Sequence, residues 1–289
     1  MEQDLLTLME ENASKFSKGQ RRIAAYIAEK YDKAAFMTAL KLGQAVGVSE
    51  STVVRFASLL GYDGYPNLQR AMQEMIRNRL TAVQRIEVTE DQIGQEDVLT
   101  KVLGSDMEKI RKTLESVSPE EFESCVSAVT GARRVYILGI RSAAILARFL
   151  AFYLNLILPS KVHYINTAST SEMFEQMLRI GKEDVLIAVS FPRYSKRTVQ
   201  GAMFAHKRGA RVLAVSDSIR SPLIPHSDYK LLARSDMASF VDSLVAPMSL
   251  LNALVVAVGL RKRNEVSETF EELESIWNEY DVYDTGSER

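Results

Sequence analysis

TALKLGQAVGVSESTVVRFASLLG, residues 38–61, reads as two short helices joined by a tight corner. Leu42, Val46, Val48, Val53 and Phe56 recur at the spacing that gives each helix one apolar side. Gly47 stands where the corner needs a positive φ, and Gly43 stands where two helices must approach closely. Thr38 and Ser49 are N-cap residues placed just ahead of the two helices. If the second helix packs through Val53, Phe56 and Leu60, helical spacing leaves Glu50, Ser51, Thr52 and Arg55 on its exposed N-terminal face. Such a face suits a major groove: hydroxyls and a helix N-terminus hold phosphate, and Arg addresses guanine through two donors. The same pattern fits an ordinary αα-corner, so the surroundings have to decide.

Moving outward, Ser17-Lys18-Gly19-Gln20 has the form of a capping box before a helix through Ile23, Tyr26 and Ile27 to about Lys30. A short helix over residues 32–36 precedes the corner, and Gly61-Tyr62-Asp63-Gly64-Tyr65-Pro66 turns the chain into a further helix over residues 67–80. The first domain is therefore expected to be all-α. Residues 12–80 carry eleven Lys or Arg against five Asp or Glu, whereas residues 264–289 carry one Arg against nine acids. A basic excess around a helical corner points to a polyanionic partner.

The 289 residues suffice for two domains, and 46% hydrophobic with 25% charged residues is a globular composition. The single cysteine, Cys125, excludes an intramolecular disulfide framework, and there is no Cys/His cluster for zinc, which fits a reducing cytoplasm. The acidic start is unlike a secretory signal, and the longest apolar run, residues 143–159, is interrupted by Arg148 and Asn155. Residues 81–96 are polar and acidic and read as a linker, followed by a helical pattern over residues 97–116. Ser118-Pro119-Glu120-Glu121 then starts a new helix that Gly131 ends.

From Arg134 the period changes. Val135-Tyr136-Ile137-Leu138 ends in Gly139 and is followed by an apolar helix from Ser142. The unit recurs with a strand over residues 162–165 and a helix from Ser169, a strand over residues 185–189 and a helix from about Ser195, then a strand over residues 212–215. Buried strands alternating with helices predict a parallel sheet covered on both faces, with ligands at the carboxyl ends of the strands. A dinucleotide fold is disfavoured: the loop Gly139-Ile140-Arg141-Ser142-Ala143 lacks the extra glycines, and Ile165-Asn166-Thr167 lacks the ribose-binding acid. Ser142, Ser190, Ser195 and Thr198 instead place hydroxyls at helix starts and strand ends, an arrangement that suits a phosphate.

SKGQRRIAAYI, residues 17–27, followed by VGVSESTVVRFASLLGYDGYPNLQRAM, residues 46–72, resembles the N-terminal domain of the RpiR/MurR family of bacterial transcription regulators. The resemblance implies that Ser49, Glu50, Ser51, Thr52 and Arg55 lie at or near a DNA groove, with Lys41 and Lys18 as phosphate contacts. Residues 119–263 resemble the SIS, or sugar isomerase, domain that forms the effector-binding half of those regulators. That domain binds phosphosugars through a glycine-serine loop after the first strand and an S-x-S-G-x-T loop after the third. Gly139 and Ser142 match the first loop, with Arg141 where glycine is common. In the second, Ser190 matches, Pro192 and Arg193 replace serine and glycine, Tyr194 follows, and Ser195 stands for threonine. The departures leave the ligand open.

The alternative is a SIS-type sugar-phosphate isomerase with an accessory helical domain. It needs a general base within reach of the sugar carbons. Glu172 falls in a Ser169-Thr170-Ser171-Glu172 capping box, and His163 and His226 have no evident partner, so no catalytic residue is assigned.

The expected architecture is thus an all-α helix-turn-helix domain over residues 1–80, a linker and connecting helix over 81–118, an α/β SIS domain over 119–263, and an acidic helical tail over 264–289. The expected activity is cytoplasmic, ligand-responsive regulation of transcription, with carbohydrate catabolism as its field, without catalysis, metal, cofactor or membrane. Its partners would be operator DNA, a phosphosugar or sugar-acid effector at Gly139, Arg141, Ser142, Ser190, Arg193, Tyr194, Ser195 and Thr198, and further copies of the chain in a homodimer or homotetramer. The apolar helix over residues 240–260 would supply the main self-contact.

Overall fold

The computed structural model describes residues 5–76, 86, 97–235 and 241–283. The chain separates into two compact units, the second beginning at Leu103.

The first unit is helical: α1 (Leu5–Glu11), a 3-10 turn at Ala13–Lys15, α2 (Lys18–Glu29), α3 (Tyr31–Ala34), α4 (Ala39–Val46), α5 (Glu50–Leu59) and α6 (Tyr65–Ile76). The capping box of α2 forms as read, with the Ser17 hydroxyl accepting from Gln20 N–H and the Gln20 side chain accepting from Ser17 N–H. One face of each helix supplies a common core that includes Ile23, Ile27, Leu42, Val53, Phe56, Leu68 and Met72. The acidic start of the chain also folds: α1 buries Leu5 and Met9 in this core. Helix α6 starts two residues ahead of its expected position, because proline suits a first helical turn and Tyr65 is a core residue whose hydroxyl donates to Met37 O at 2.7 Å. Burial pushes that phenol well above its usual titration range.

α7 (Val98–Ser116) leads into the second unit, followed by α8 (Pro119–Thr130), β1 (Val135–Gly139), α9 (Ala143–Ile157), β2 (Val162–Tyr164), α10 (Thr170–Gln176), β3 (Val185–Val189), α11 (Lys196–Lys207), β4 (Arg211–Ser216), β5 (Tyr229–Leu232), α12 (Val245–Arg261) and α13 (Arg263–Glu279). The five strands form one parallel sheet in the order β2-β1-β3-β4-β5, with Ile137 level with Ile187 and Ile187 level with Leu213. Alternate residues serve opposite faces, as the pleat requires. Val135, Ile137, Val185, Ile187, Leu213 and Val215 meet α8, α9 and α12, while Tyr136, Leu138, Leu186, Ala188, Val212 and Ala214 meet α10 and α11. Burial on both faces explains why β1 and β3 read as unbroken apolar runs.

Two readings change. Strand β5 was not expected, since Tyr-Lys-Leu-Leu at a sheet edge is only partly buried and lacks the strong apolar run of its neighbours. Helix α12 begins at Val245, later than residue 240, with the Ser243 hydroxyl accepting from Val245 N–H at 3.4 Å; Phe240 itself, and the linker of residues 81–96 apart from Ile86, lie outside the described residues. Helix α12 buries Ala246, Leu250, Leu251, Leu254 and Val258 but leaves Val245, Val256 and Leu260 exposed, so within one chain it is covered on one side. Helix α13 lies against α9 and α12 with Val266 packed on the core, and none of its residues is fully buried.

Candidate functional site

Each unit carries one candidate region. In the first, the Thr38 hydroxyl accepts from Lys41 N–H at 3.2 Å and starts α4. Gly47, at φ 73°, ends it in the left-handed region, and Val48 N–H returns to Gly43 O at 2.8 Å. A Cβ at Gly43 would stand 2.8 Å from Val48 O, so only glycine lets this corner close. Ser49 then caps α5, accepting from Thr52 N–H at 3.3 Å.

The geometry places the Ser49 hydroxyl 3.0 Å from that of Ser51 and 2.8 Å from that of Thr52, so three hydroxyls cluster on the first turn of α5. Ser49, Glu50, Ser51 and Arg55 are exposed and Thr52 is half-buried. Arg55 Nε donates to Ser51 O at 3.2 Å, which aligns the guanidinium along the same face. Lys41 is exposed on α4. Sequence reasoning missed Arg22, whose guanidinium donates to Gly47 O at 3.3 Å and to Val46 O, closing the end of α4 from outside the corner.

The second region lies at the carboxyl ends of β1, β3 and β4. From β1 the chain crosses to β2 on one side, whereas β3 lies on the other, so the order reverses between β1 and β3. Such a switch point opens a crevice above the strand ends. Gly139, buried at the end of β1, gives α9 room: a Cβ there would lie 2.6 Å from Ala143 O. Arg141 follows at φ 62°, exposed, and Ser142 is exposed with no capping hydrogen bond from its side chain. Its φ and ψ of −59° and −35° are helical, unlike the extended backbone of an ordinary N-cap.

On the neighbouring loop the Ser190 hydroxyl is buried and accepts from Ser195 N–H at 3.2 Å, while Ser190 O accepts from the Ser216 hydroxyl at 2.7 Å. Arg193 is exposed and also stands at φ 62°. A left-handed arginine is held at a cost of roughly 1–2 kcal/mol, and two such residues crown adjacent strands. Tyr194 donates its hydroxyl proton to Asp217 at 2.8 Å. Ser195 caps α11 by accepting from Thr198 N–H at 3.4 Å. Thr198 is completely buried, and its Oγ1 has no hydrogen-bond partner among the described residues. Leaving a buried hydroxyl unpaired costs about 1–3 kcal/mol.

The candidate bases are dispersed. Only half of the expected capping box forms: the Ser169 hydroxyl accepts from Glu172 N–H, but Ser169 N–H donates to Thr167 Oγ1, and the Glu172 carboxylate instead accepts from the Thr167 hydroxyl and from Gln176 Nε2. His163 sits in the middle of edge strand β2, stacked on Tyr136 at 5.1 Å, and burial followed by the nearby Arg134 lowers its pKa. His226 precedes β5 at the amino edge of the sheet. Among the described residues no three His, Cys, Asp or Glu side chains form a metal-binding group, and no single helix is long and apolar enough to cross a membrane.

Residues 3–79 match the helix-turn-helix domain of the rpiR family, and residues 129–257 match the SIS domain. The chain belongs to the RpiR family of transcriptional regulators. It is 22% identical over 269 residues to an uncharacterised HTH-type transcriptional regulator of Caldanaerobacter subterraneus, covering 91% of this chain and 93% of that protein. It is 23% identical to the HTH-type transcriptional regulator HexR of Pseudomonas aeruginosa, covering 90% of each. The Vibrio vulnificus NanR protein complexed with ManNAc-6P shares the fold across 94% of this chain and 98% of its own, at TM-score 0.57 and 24% identity. The sugar isomerase domain of an RpiR transcription factor from Sphaerobacter thermophilus covers 62% of this chain and 99% of its own at TM-score 0.59, also at 24% identity. This RpiR-family chain therefore couples a helix-turn-helix half to a sugar-binding SIS half.

Proposed function

We propose that this RpiR-family regulator reads operator DNA through Ser49, Glu50, Ser51, Thr52 and Arg55, with Lys41 on the backbone, and answers to an anionic sugar phosphate held over β1 and β3. The observation that carries the effector half is the buried, unpartnered Thr198 Oγ1 beneath a loop already organised by Ser190 and Ser195. Ser142 brings a second uncommitted hydroxyl from the adjacent strand. The phosphate would take these donors together with the N-terminus of α11. Gly139 and Tyr194 shape the pocket, one by admitting α9 and the other by tying the loop to Asp217.

Arg141 and Arg193 would meet a second anionic group on the effector, a carboxylate or another phosphate. The regulator acts in the cytoplasm as a homodimer or homotetramer, with the exposed side of α12 at Val245, Val256 and Leu260 as its self-contact. A sensing role without catalysis is supported by Glu172, which accepts from Thr167 and Gln176, and by His163 and His226, neither of which stands at the carboxyl edge.

The deciding experiment is a thermal-shift screen against sugar phosphates and phosphorylated sugar acids. The ManNAc-6P complex of the Vibrio vulnificus relative makes a hexosamine phosphate one class to include. A ligand at one hundred times its Kd stabilises by about 2.7 kcal/mol and raises the melting temperature measurably. Stabilisation without turnover supports the reading, whereas interconversion of an aldose and a ketose phosphate would establish the isomerase instead.

A further inference from the structure

The first unit contains a hollow of about 760 Å³ lined by Phe16, Ser17, Lys18, Arg21, Arg22 and Ala25. Three of its six lining residues are cations and none is an acid. Among the described residues none of these three makes an ion pair; Arg21 Nε donates to Phe16 O at 3.1 Å, and Arg22 donates to the Val46 and Gly47 carbonyls. Its floor is rigid: Phe16 is buried, and its ring packs against that of Phe56 in α5 with centroids 5.2 Å apart.

The position of this hollow matters as much as its charge. A Cβ on Gly19 would lie 3.3 Å from Val48 Cγ1 and 3.5 Å from Thr52 Cγ2, so the first turn of α2 rests directly against the first turn of α5. The unneutralised cations therefore border the hydroxyl-bearing face formed by Ser49, Ser51 and Thr52. Cations without carboxylate partners, gathered around an open hollow beside a groove-reading helix, suit a phosphodiester and not a protein acid held within the fold.

We propose that Lys18, Arg21 and Arg22 form a clamp for a backbone phosphate of the same duplex that α5 reads. This inference rests on the assignment of α5 to DNA and adds a second, sequence-independent anchor that sets the angle at which α5 enters the groove. Arg22 has a double part, since its guanidinium also fixes the Val46–Gly47 end of the corner. Lys18 and Arg21 are the residues through which the clamp can be tested without disturbing that turn.

The experiment measures affinity of the full chain for its operator duplex and for a random duplex of equal length across a salt series. The variants are Lys18→Gln, Arg21→Gln, the pair together, and Lys18→Arg. Each neutral substitution is expected to reduce the slope of log K against log salt by about 1, and to weaken both duplexes by the same factor, on the order of tenfold at 0.1 M salt. The double variant should lose about 2 in slope, and Lys18→Arg should keep the wild-type value. Unchanged slopes in variants of a DNA-binding wild type overturn the clamp while leaving the role of α5 intact. Loss confined to the operator also overturns it, because a backbone contact carries no sequence preference. A wild type that binds neither duplex removes the DNA assignment itself, and the clamp with it.

Discussion

The Ser190 hydroxyl accepts the Ser195 backbone N–H at 3.2 Å, joining the two ends of the loop between β3 and α11. Ser195 in turn caps α11 through Thr198 N–H. The loop thus spends two hydroxyls on its own shape while leaving the Thr198 Oγ1 beneath it unpaired. Replacing Ser190 and Ser195 together by Ala should remove the cap, at about 0.5–2 kcal/mol, and release the loop. The expected outcome is loss of the sugar-phosphate effect on DNA binding, with operator affinity in the absence of ligand unchanged. Fluorescence anisotropy with labelled operator checks both, and a double variant that still responds to ligand would refute the assignment.

Arg55 lies exposed on α5, with its Nε tied to Ser51 O one turn back. Its remaining donors can form the two-pronged contact that guanine accepts. Arg55→Ala is expected to cost about 1–3 kcal/mol on the operator and less on random DNA. Competition binding with the two duplexes separates base reading from backbone positioning; equal losses would assign Arg55 to the backbone.

The corner itself offers a steric test. Gly43→Ala places a methyl 2.8 Å from the Val48 carbonyl oxygen, an atom that belongs to the turn and cannot rotate away. Separating α4 from α5 by that contact should destabilise the first unit by about 1–3 kcal/mol and lower operator affinity through misplacement of α5. Urea unfolding followed by circular dichroism measures the first effect. Full stability and full affinity in Gly43→Ala would show that the corner is looser than its geometry.

The corner was legible because its determinants are local. Two hydroxyl caps, a left-handed glycine and one apolar stripe lie within residues 38–61, and each performs its expected task. The strands of the second unit were legible for the same reason, since burial on both faces makes β1 and β3 continuous apolar runs. Strand β5 was not: its residues are partly buried at an edge and become a strand only by pairing with β4. The candidate site was legible as a set of hydroxyls but not as a division of labour. That Ser190 and Ser195 serve the loop while Thr198 is left unpaired depends on how a tertiary turn closes, and the left-handed backbone of Arg141 and Arg193 has no signal in residue type. Arg22 escaped notice because its partners are 24 and 25 residues away in the chain.

Cys125 is buried against β5, with its thiol 3.8 Å from Lys230 O. Desolvation first, then the Glu121 charge, pushes its pKa from 9.0 to about 12. Burial favours the neutral thiol, so its contribution to stability is fully present below pH 9, and is progressively lost as pH rises from 9 towards 12 and the unfolded thiol ionises first. At pH 8 the native thiol should react with a disulfide reagent far more slowly than the unfolded one. Stopped-flow absorbance in buffer and in denaturant checks this, and equal rates would place the thiol at the surface.

Arg141 and Arg193 stand at the same left-handed φ of 62° on loops that leave adjacent parallel strands. Each pays backbone strain that glycine would avoid, which argues for a use of the guanidinium beyond space filling. On the proposed reading, a single phosphate met by Ser142 and a helix N-terminus would need little further charge, so two arginines favour an effector with a second anionic group. Comparison of a neutral-sugar monophosphate with its sugar-acid counterpart by calorimetry should give about 1.5–3 kcal/mol in favour of the acid. Arg193→Ala should remove most of that preference while leaving affinity for the neutral sugar phosphate nearly unchanged. Equal affinity of the wild type for the two ligands would end the proposal, and a preference that survives both Arg193→Ala and Arg141→Ala would move the second anion to another part of the crevice.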